Sequence, residues 1–304
     1  MDALETTVPR PLSAEELTFL NAAAAYLERP SFLMRAANVV GKPAEALVQA
    51  LPRRAQNLVA DATSAALKEA VDWAVRSLPP PGASRAAAGW PPRLVAWKDK
   101  HLHTAMAATT GAVGGFFGLA GVIVEIPATT MLMLRSIAAI AAQHGANLDD
   151  PLTRLQCLSV FSFGSPSLEK MESAYFTGRL GISLAMRDAA QFVARHSARE
   201  ISEAISRGTA PVLIRLLNQI ASRFQLVVTQ KVAAQAVPIV GAASGALINA
   251  AFTDHFNTVA RFHFGIVRLE KECGKDVVQT AYQQARAAIA AGQGDMPEGS
   301  GTQT

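Results

Sequence analysis

The sequence predicts an all-α protein, and three observations carry that prediction. Half of the 304 residues are hydrophobic but only 6% are aromatic, so alanine, leucine and valine supply most of the apolar mass. Alanine is the best helix former, and small side chains let helices approach closely. The second observation is periodicity. Apolar residues recur at helical spacing through most of the chain, and no run alternates convincingly as a half-buried strand does, residues 226–228 being one short ambiguous stretch. The third is a pair of uncharged segments, 104–124 and 232–253, whose glycines recur at helix-packing intervals. Together they describe a compact multi-helix bundle with two glycine-rich, closely packed apolar helices.

Taken in order, Ser13 and Glu16 have the spacing of a capping box, which opens a helix running to about residue 28. Pro30, Pro43 and Pro52 punctuate short helical pieces. Residues 53–78 form a long amphipathic pattern with Leu58, Ala62, Ala65, Ala66, Val71 and Trp73 among its apolar members. The stretch PPPGASRAAAGWPP, 79–92, is a proline-rich loop, because proline fixes φ and removes backbone donors. A helix resumes near Arg93 and enters the first glycine segment. The residue before a proline disfavours helical geometry, so Ile126-Pro127 predicts a break and a new helix from Pro127 to about His144, stopped by Gly145. Asp149-Asp150-Pro151 starts the next helix, and Gly164, Ser165 and Pro166 mark a turn. Helical patterns then cover 168–207, 210–232 and 238–272, with Gly274 a cap before a last helix to about residue 291. The organisation expected is an N-terminal helical segment at 1–24, one helical domain at 25–291 with the proline-rich loop inside it, and a disordered tail at 292–304 that lacks apolar anchors.

Gly111, Gly115 and Gly118 fall at i, i+4 and i+7, and Gly241 and Gly245 repeat the small-xxx-small spacing. Each glycine weakens a helix interior by roughly 1 kcal/mol relative to alanine, so close packing has to offset several such penalties. Each uncharged segment also approaches the length of about 20 residues that spans a bilayer. Glycine and threonine dilute the first, and Gln235, Pro238, Ser244 and Asn249 interrupt the second. A buried core pair, shallow membrane contact and a spanning hairpin therefore stay open. Both stripes end on a polar residue, Glu125 four positions beyond Gly121 and Asn249 four beyond Gly245. A buried carboxylate needs a partner or a proton. Arg135, Asn249 or a histidine is the expected source, making Glu125, Arg135 and Asn249 candidates for a buried polar contact.

Residues 111–145, GAVGGFFGLAGVIVEIPATTMLMLRSIAAIAAQHG, resemble a signature of the EcsC family: spaced glycines, an acidic-Ile-Pro turn and an apolar helix carrying an arginine. Residues 237–274 resemble the family's other signature, MESAYFTGR at 171–179 its intervening tyrosine-containing stretch, and 51–75 its N-terminal helix. The resemblance runs from about residue 25 to 285. It implies a bacterial protein linked to membrane processes, since the founding member is encoded beside an ABC transporter. It brings no catalytic set to carry over, although some related sequences have been labelled peptidases.

The formal charge is +4 with basic residues scattered along the chain, whereas nucleic-acid binders concentrate theirs. No nucleic-acid partner is expected; weak attraction to an acidic membrane surface is. Cys157 and Cys273 are the only cysteines and make no disulfide framework. The acidic N-terminus lacks the pattern of a secretion signal, so a cytoplasmic protein, peripheral on the inner membrane, is expected.

No HExxH, GxSxG or P-loop pattern occurs, and neither metal nor cofactor is expected. His255 and His263, eight apart, together with Asp254 and Glu125, form the one candidate acid–base set for a peptidase-like hydrolase. Phe252 and Phe256, at i and i+4, are read first as core packing; the sharper alternative is that they line an apolar pocket between helices with Phe116, Phe117 and Met131. Trp90 and Trp97 beside Arg93, Lys98 and Lys100 are read first as closing the proline-rich loop over the core, the alternative being a membrane interface. The leading functional expectation is a membrane-associated protein that binds a lipid-like ligand or a membrane transporter. The alternatives are the hydrolase and a soluble structural or interaction protein.

Overall fold

The computed structural model describes residues 10–28, 51–76, 118–163, 174–235 and 242–294. The proline-rich loop, Trp90, Trp97, Gly111, Gly115, Phe116, Phe117, the turn at 164–166 and Gly241 lie outside them. Among the described residues there are nine helices and no strand: α1 (Ala14–Leu27), α2 (Arg53–Arg76), α3 (Gly118–Gln143), α4 (Pro151–Phe163), α5 (Ala174–Arg195), α6 (Ala198–Arg207), α7 (Pro211–Gln235), α8 (Ala242–Cys273) and α9 (Lys275–Gly294).

Local chemistry explains most of the boundaries. The Ser13 hydroxyl accepts from the Glu16 backbone N–H at 3.2 Å, and the Glu16 carboxylate accepts from the Ser13 N–H at 2.8 Å, so α1 opens on the expected capping box. Pro151 opens α4, where the Asp150 carboxylate accepts from the N–H groups of Leu152 and Thr153. Gly145, Gly208 and Gly274 take positive φ at helix ends, a conformation that costs glycine nothing.

Two expectations need correcting. The helix does not break before Pro127, which lies inside a continuous α3. An internal proline costs about 3 kcal/mol. Here Ile126, Thr129, Thr130, Met133 and Leu134 are all buried around it, and the Thr130 hydroxyl donates to the Ile126 carbonyl at 2.8 Å. Packing on both sides of the proline thus overrides its local preference. The pattern at 168–207 is two helices, because Ser197 and Glu200 make a second capping box that starts α6. On α2 the buried stripe is Ala55, Val59, Ala66, Leu67, Ala70, Val71 and Ala74, while Leu58 is 48% exposed and Ala65 faces solvent. Smaller residues take the core side because neighbouring helices pack close there. Residues 226–228 are helical, within α7.

At 32 residues α8 is about 48 Å long and serves as the spine. It packs against α1, α3, α4, α7 and α9, while α2 closes the other side against α3, α4, α6 and α7. The described buried residues form one hydrophobic core. Its aromatic centre is Phe161 of α4, Phe224 of α7, and Phe252 and Phe256 of α8, with ring centroids 4.6–6.2 Å apart.

Candidate functional site

Within this apolar interior, α8 carries Asn249, Thr253, His255, Asn257, His263 and Glu270, all buried. Buried polar groups are tolerated when they are paired, and the pairs made with neighbouring helices define the site.

The first pair lies where α3 meets α7. Lys231 Nζ donates to Glu125 Oε1 at 2.8 Å, with the two side chains 1% and 4% exposed. The Thr129 hydroxyl donates to the same oxygen at 3.0 Å. The ammonium also stands 5.0 Å from the centroid of the Phe252 ring, a cation–π contact supplied by α8. Burial pushes the lysine down from its ordinary pKa, and the adjacent carboxylate opposes that shift. Glu125 is thus a buried polar residue with a partner, as its position beyond Gly121 suggests. The partner, however, is one that sequence reasoning missed. Lys231 is the one charged residue between Arg223 and Asp254, as Glu125 is between Lys100 and Arg135. Two isolated opposite charges in apolar helices were the available signal. Asn249 is fully buried. Arg135 is not a buried polar residue: it faces solvent with its guanidinium 5.8 Å from the Trp73 ring, because the α3 face it occupies points outward.

The second and third pairs are tyrosine–histidine contacts. Tyr26 of α1 meets His255 Nδ1 at 3.1 Å with the rings stacked, and Tyr175 of α5 meets His263 Nδ1 at 2.9 Å. Burial, aided by the nearby Arg179 charge, drives His263 well below the ordinary histidine pKa, so its ring is neutral. The Tyr175 hydroxyl is pushed up by burial. One turn along α5, the Arg179 guanidinium grips the Glu270 carboxylate through two hydrogen bonds. Cys157 packs as a small hydrophobe, its thiol pushed up to about 12 by burial.

These contacts bear on the candidate acid–base set. Glu125 is held by Lys231, His255 by Tyr26 and His263 by Tyr175, while Asp254 is half-exposed and 3.8 Å from Arg261. Eight residues of helix separate the two histidines by about 12 Å along the axis, and they turn to tyrosines on different helices. Among the described residues no group of three or more His, Cys, Asp or Glu is placed to hold a metal ion. Of the candidate pocket residues, Phe252 and Phe256 pack into the aromatic centre and Met131 is half-buried against the core. Gly118 and Gly245 fall within α3 and α8.

A model of the EcsC protein family matches residues 33–269. The chain belongs to the EcsC family. The matched span includes Glu125, Lys231, both tyrosine-bound residues His255 and His263, and Tyr175, so every interhelical pair but the Tyr26 and Glu270 ends lies inside it. Neither the comparison with curated proteins nor that with solved structures returns a match. On the outer surface of this EcsC-family protein, an open groove of about 590 Å³ runs along α7 beside Pro211, Ile214, Arg215, Asn218 and Ser222.

Proposed function

We propose that this EcsC-family protein is a binding protein of the cytoplasmic membrane surface, peripheral rather than spanning, whose partner is a lipid-like ligand or a membrane protein. The observation that carries this reading is the enclosure of α3. Its segment Glu125–Gln143 is long and apolar enough to cross a membrane by length and composition, yet 61% of it is buried against the protein. It also begins at a carboxylate tied to Lys231 of another helix. Moving α3 into lipid would break that ion pair and strip the core of Met133, Leu134, Ile137, Ala138 and Ala141. Lipid contact therefore falls to outward-facing side chains. The hydrolase alternative has less to stand on, because its acid and both histidines hold structural partners.

Flotation on a density gradient tests the reading. The protein is expected to rise with vesicles containing an acidic phospholipid and to be released from native membranes by alkaline carbonate. Protein that stays at the bottom with every vesicle overturns membrane association. Protein retained after carbonate overturns the peripheral mode.

A further inference from the structure

The outer face of the α5–α7 pair has an unusual composition. At 100° per residue, Thr177, Leu180, Arg187, Asp188, Gln191 and Arg195 lie within about 60° of Leu184 to either side, along about 27 Å of α5. Leu180 is 75% and Leu184 69% exposed, the two most exposed large hydrophobic residues among those described. On α7, which packs beside α5, Arg215, Ser222 and Leu226 face solvent, and Leu226 is 48% exposed. The Arg223 guanidinium lies over Gly178, where an added Cβ would stand 2.4 Å from its Nη1. It thereby brings charge from α7 onto α5 two residues from Leu180.

The charges on this face are one-sided. The two helices carry six basic residues and one acid, Asp188. Arg179 and Lys231 are committed to Glu270 and Glu125. On these two helices that leaves Arg187, Arg195 and Arg215 against Asp188. No ion pair among the described residues holds Arg187, Arg195 or Arg215. The intervening α6 adds no free acid to balance them, since Glu203 is bridged by Arg199 and Arg207 and Glu200 caps Ser197.

From this juxtaposition we infer that the α5–α7 face is the membrane-docking surface and that its partner is a bilayer rich in anionic phospholipid. The inference rests on the peripheral reading above and names its site. Leu180 and Leu184, one turn apart, enter the headgroup boundary. The arginines around them meet lipid phosphates, which a guanidinium contacts in a two-pronged fashion. Charge complementarity selects the anionic bilayer: each exposed arginine is drawn to a negative surface, and one aspartate opposes. Such binding weakens as added salt screens the arginines.

The test uses the full chain and three proteins: the native sequence, Leu180→Asp/Leu184→Asp, and Arg187→Glu/Arg195→Glu/Arg215→Glu. All five positions are exposed, so folding is expected to survive and is checked by circular dichroism. Vesicles are pure phosphatidylcholine or the same lipid with about 30 mol% of the anionic phosphatidylglycerol. Expected are flotation of the native protein with the anionic vesicles alone, a loss of at least about tenfold in bound fraction for each variant, and release by high salt. If the native protein floats and both variants float equally well, this face is not the docking surface although membrane association stands. If the native protein floats with neither vesicle, the peripheral reading fails and the inference falls with it. If light scattering shows a native dimer that the leucine variant converts to monomer without lipid, the face joins two copies of the chain and the lipid assignment is wrong.

Discussion

Replacing Lys231 with methionine is the sharpest perturbation of this core. Methionine keeps an unbranched stem of similar length, so the change removes the charge with little loss of packing. At 2.8 Å, and with the effective dielectric of about 20 that suits protein sites, the Coulomb attraction is about 6 kcal/mol. Against it stands the desolvation of two ions, several kcal/mol each. With side chains only 1% and 4% exposed, solvent neither screens the pair nor rescues a survivor. The intact pair is therefore close to neutral in stability, while the lone carboxylate left by Lys231→Met carries an uncompensated penalty of about 3–5 kcal/mol. At about 2.1 cal/mol/K of unfolding entropy per residue, a chain of 304 residues loses roughly 5–8 °C of Tm. Urea unfolding followed at 222 nm measures it. The double variant Glu125→Leu/Lys231→Met removes both charges and is expected to recover all but about 1 kcal/mol of the loss, or to exceed the native stability. A single-variant loss below about 1 kcal/mol, or a double variant no better than the single, would refute this account of the pair.

Three further outcomes follow from other contacts. His263 is neutral in the fold because burial holds its pKa well below 6.5, whereas the unfolded chain takes up a proton near that pH. Its contribution is present above pH 6.5 and lost as the pH falls, so His263→Leu should flatten the stability profile by up to about 1.4 kcal/mol per pH unit between roughly pH 6.5 and 5; parallel profiles would contradict this. Glu270→Gln weakens the fork from Arg179 and should destabilise by about 2–3 kcal/mol in urea, since bonds to charged groups are the stronger ones. Gly265→Ala would set a Cβ 2.3 Å from Cζ of Phe19, where α1 crosses α8. A loss of about 1–3 kcal/mol is expected, relieved when Phe19→Leu is added; a double variant without that relief would show that the ring is not what limits the approach.

Features set by neighbours in sequence were legible before any coordinates. The Ser13–Glu16 box, the Asp150-Pro151 start and the Gly145 and Gly274 stops depend on chemistry within four residues, and each appears where the sequence places it. At Pro127 the local preference is genuine but weaker than the packing of Ile126, Thr129, Met133 and Leu134. The second capping box, Ser197 to Glu200, is equally local, but it lies inside a longer periodic run that masks the break. On α2 a hydrophobic pattern alone could not say which of Leu58 and Val59 turns inward, since that depends on how closely α3 and α7 approach. The site divides in the same way. Burial of Glu125 was readable from the glycine stripe, but its partner lies 106 residues away on another helix. The tyrosines that occupy His255 and His263 come from α1 and α5, and no spacing along α8 announces them.

The spine helix also has a consequence for synthesis. α8 follows seven of the other eight described helices in the chain, yet it is the surface on which α1, α3, α4 and α7 find their places. A nascent chain emerging in order would present Phe161, Phe224, Glu125 and Lys231 before Phe252 and Phe256 exist to cover them. Interior surface would then stand open for the seconds that the remaining residues take at about 5–20 per second. Completion of the core is thus gated by the last part of the message, and a ribosome stalled before residue 242 would hold helices with no centre to close on.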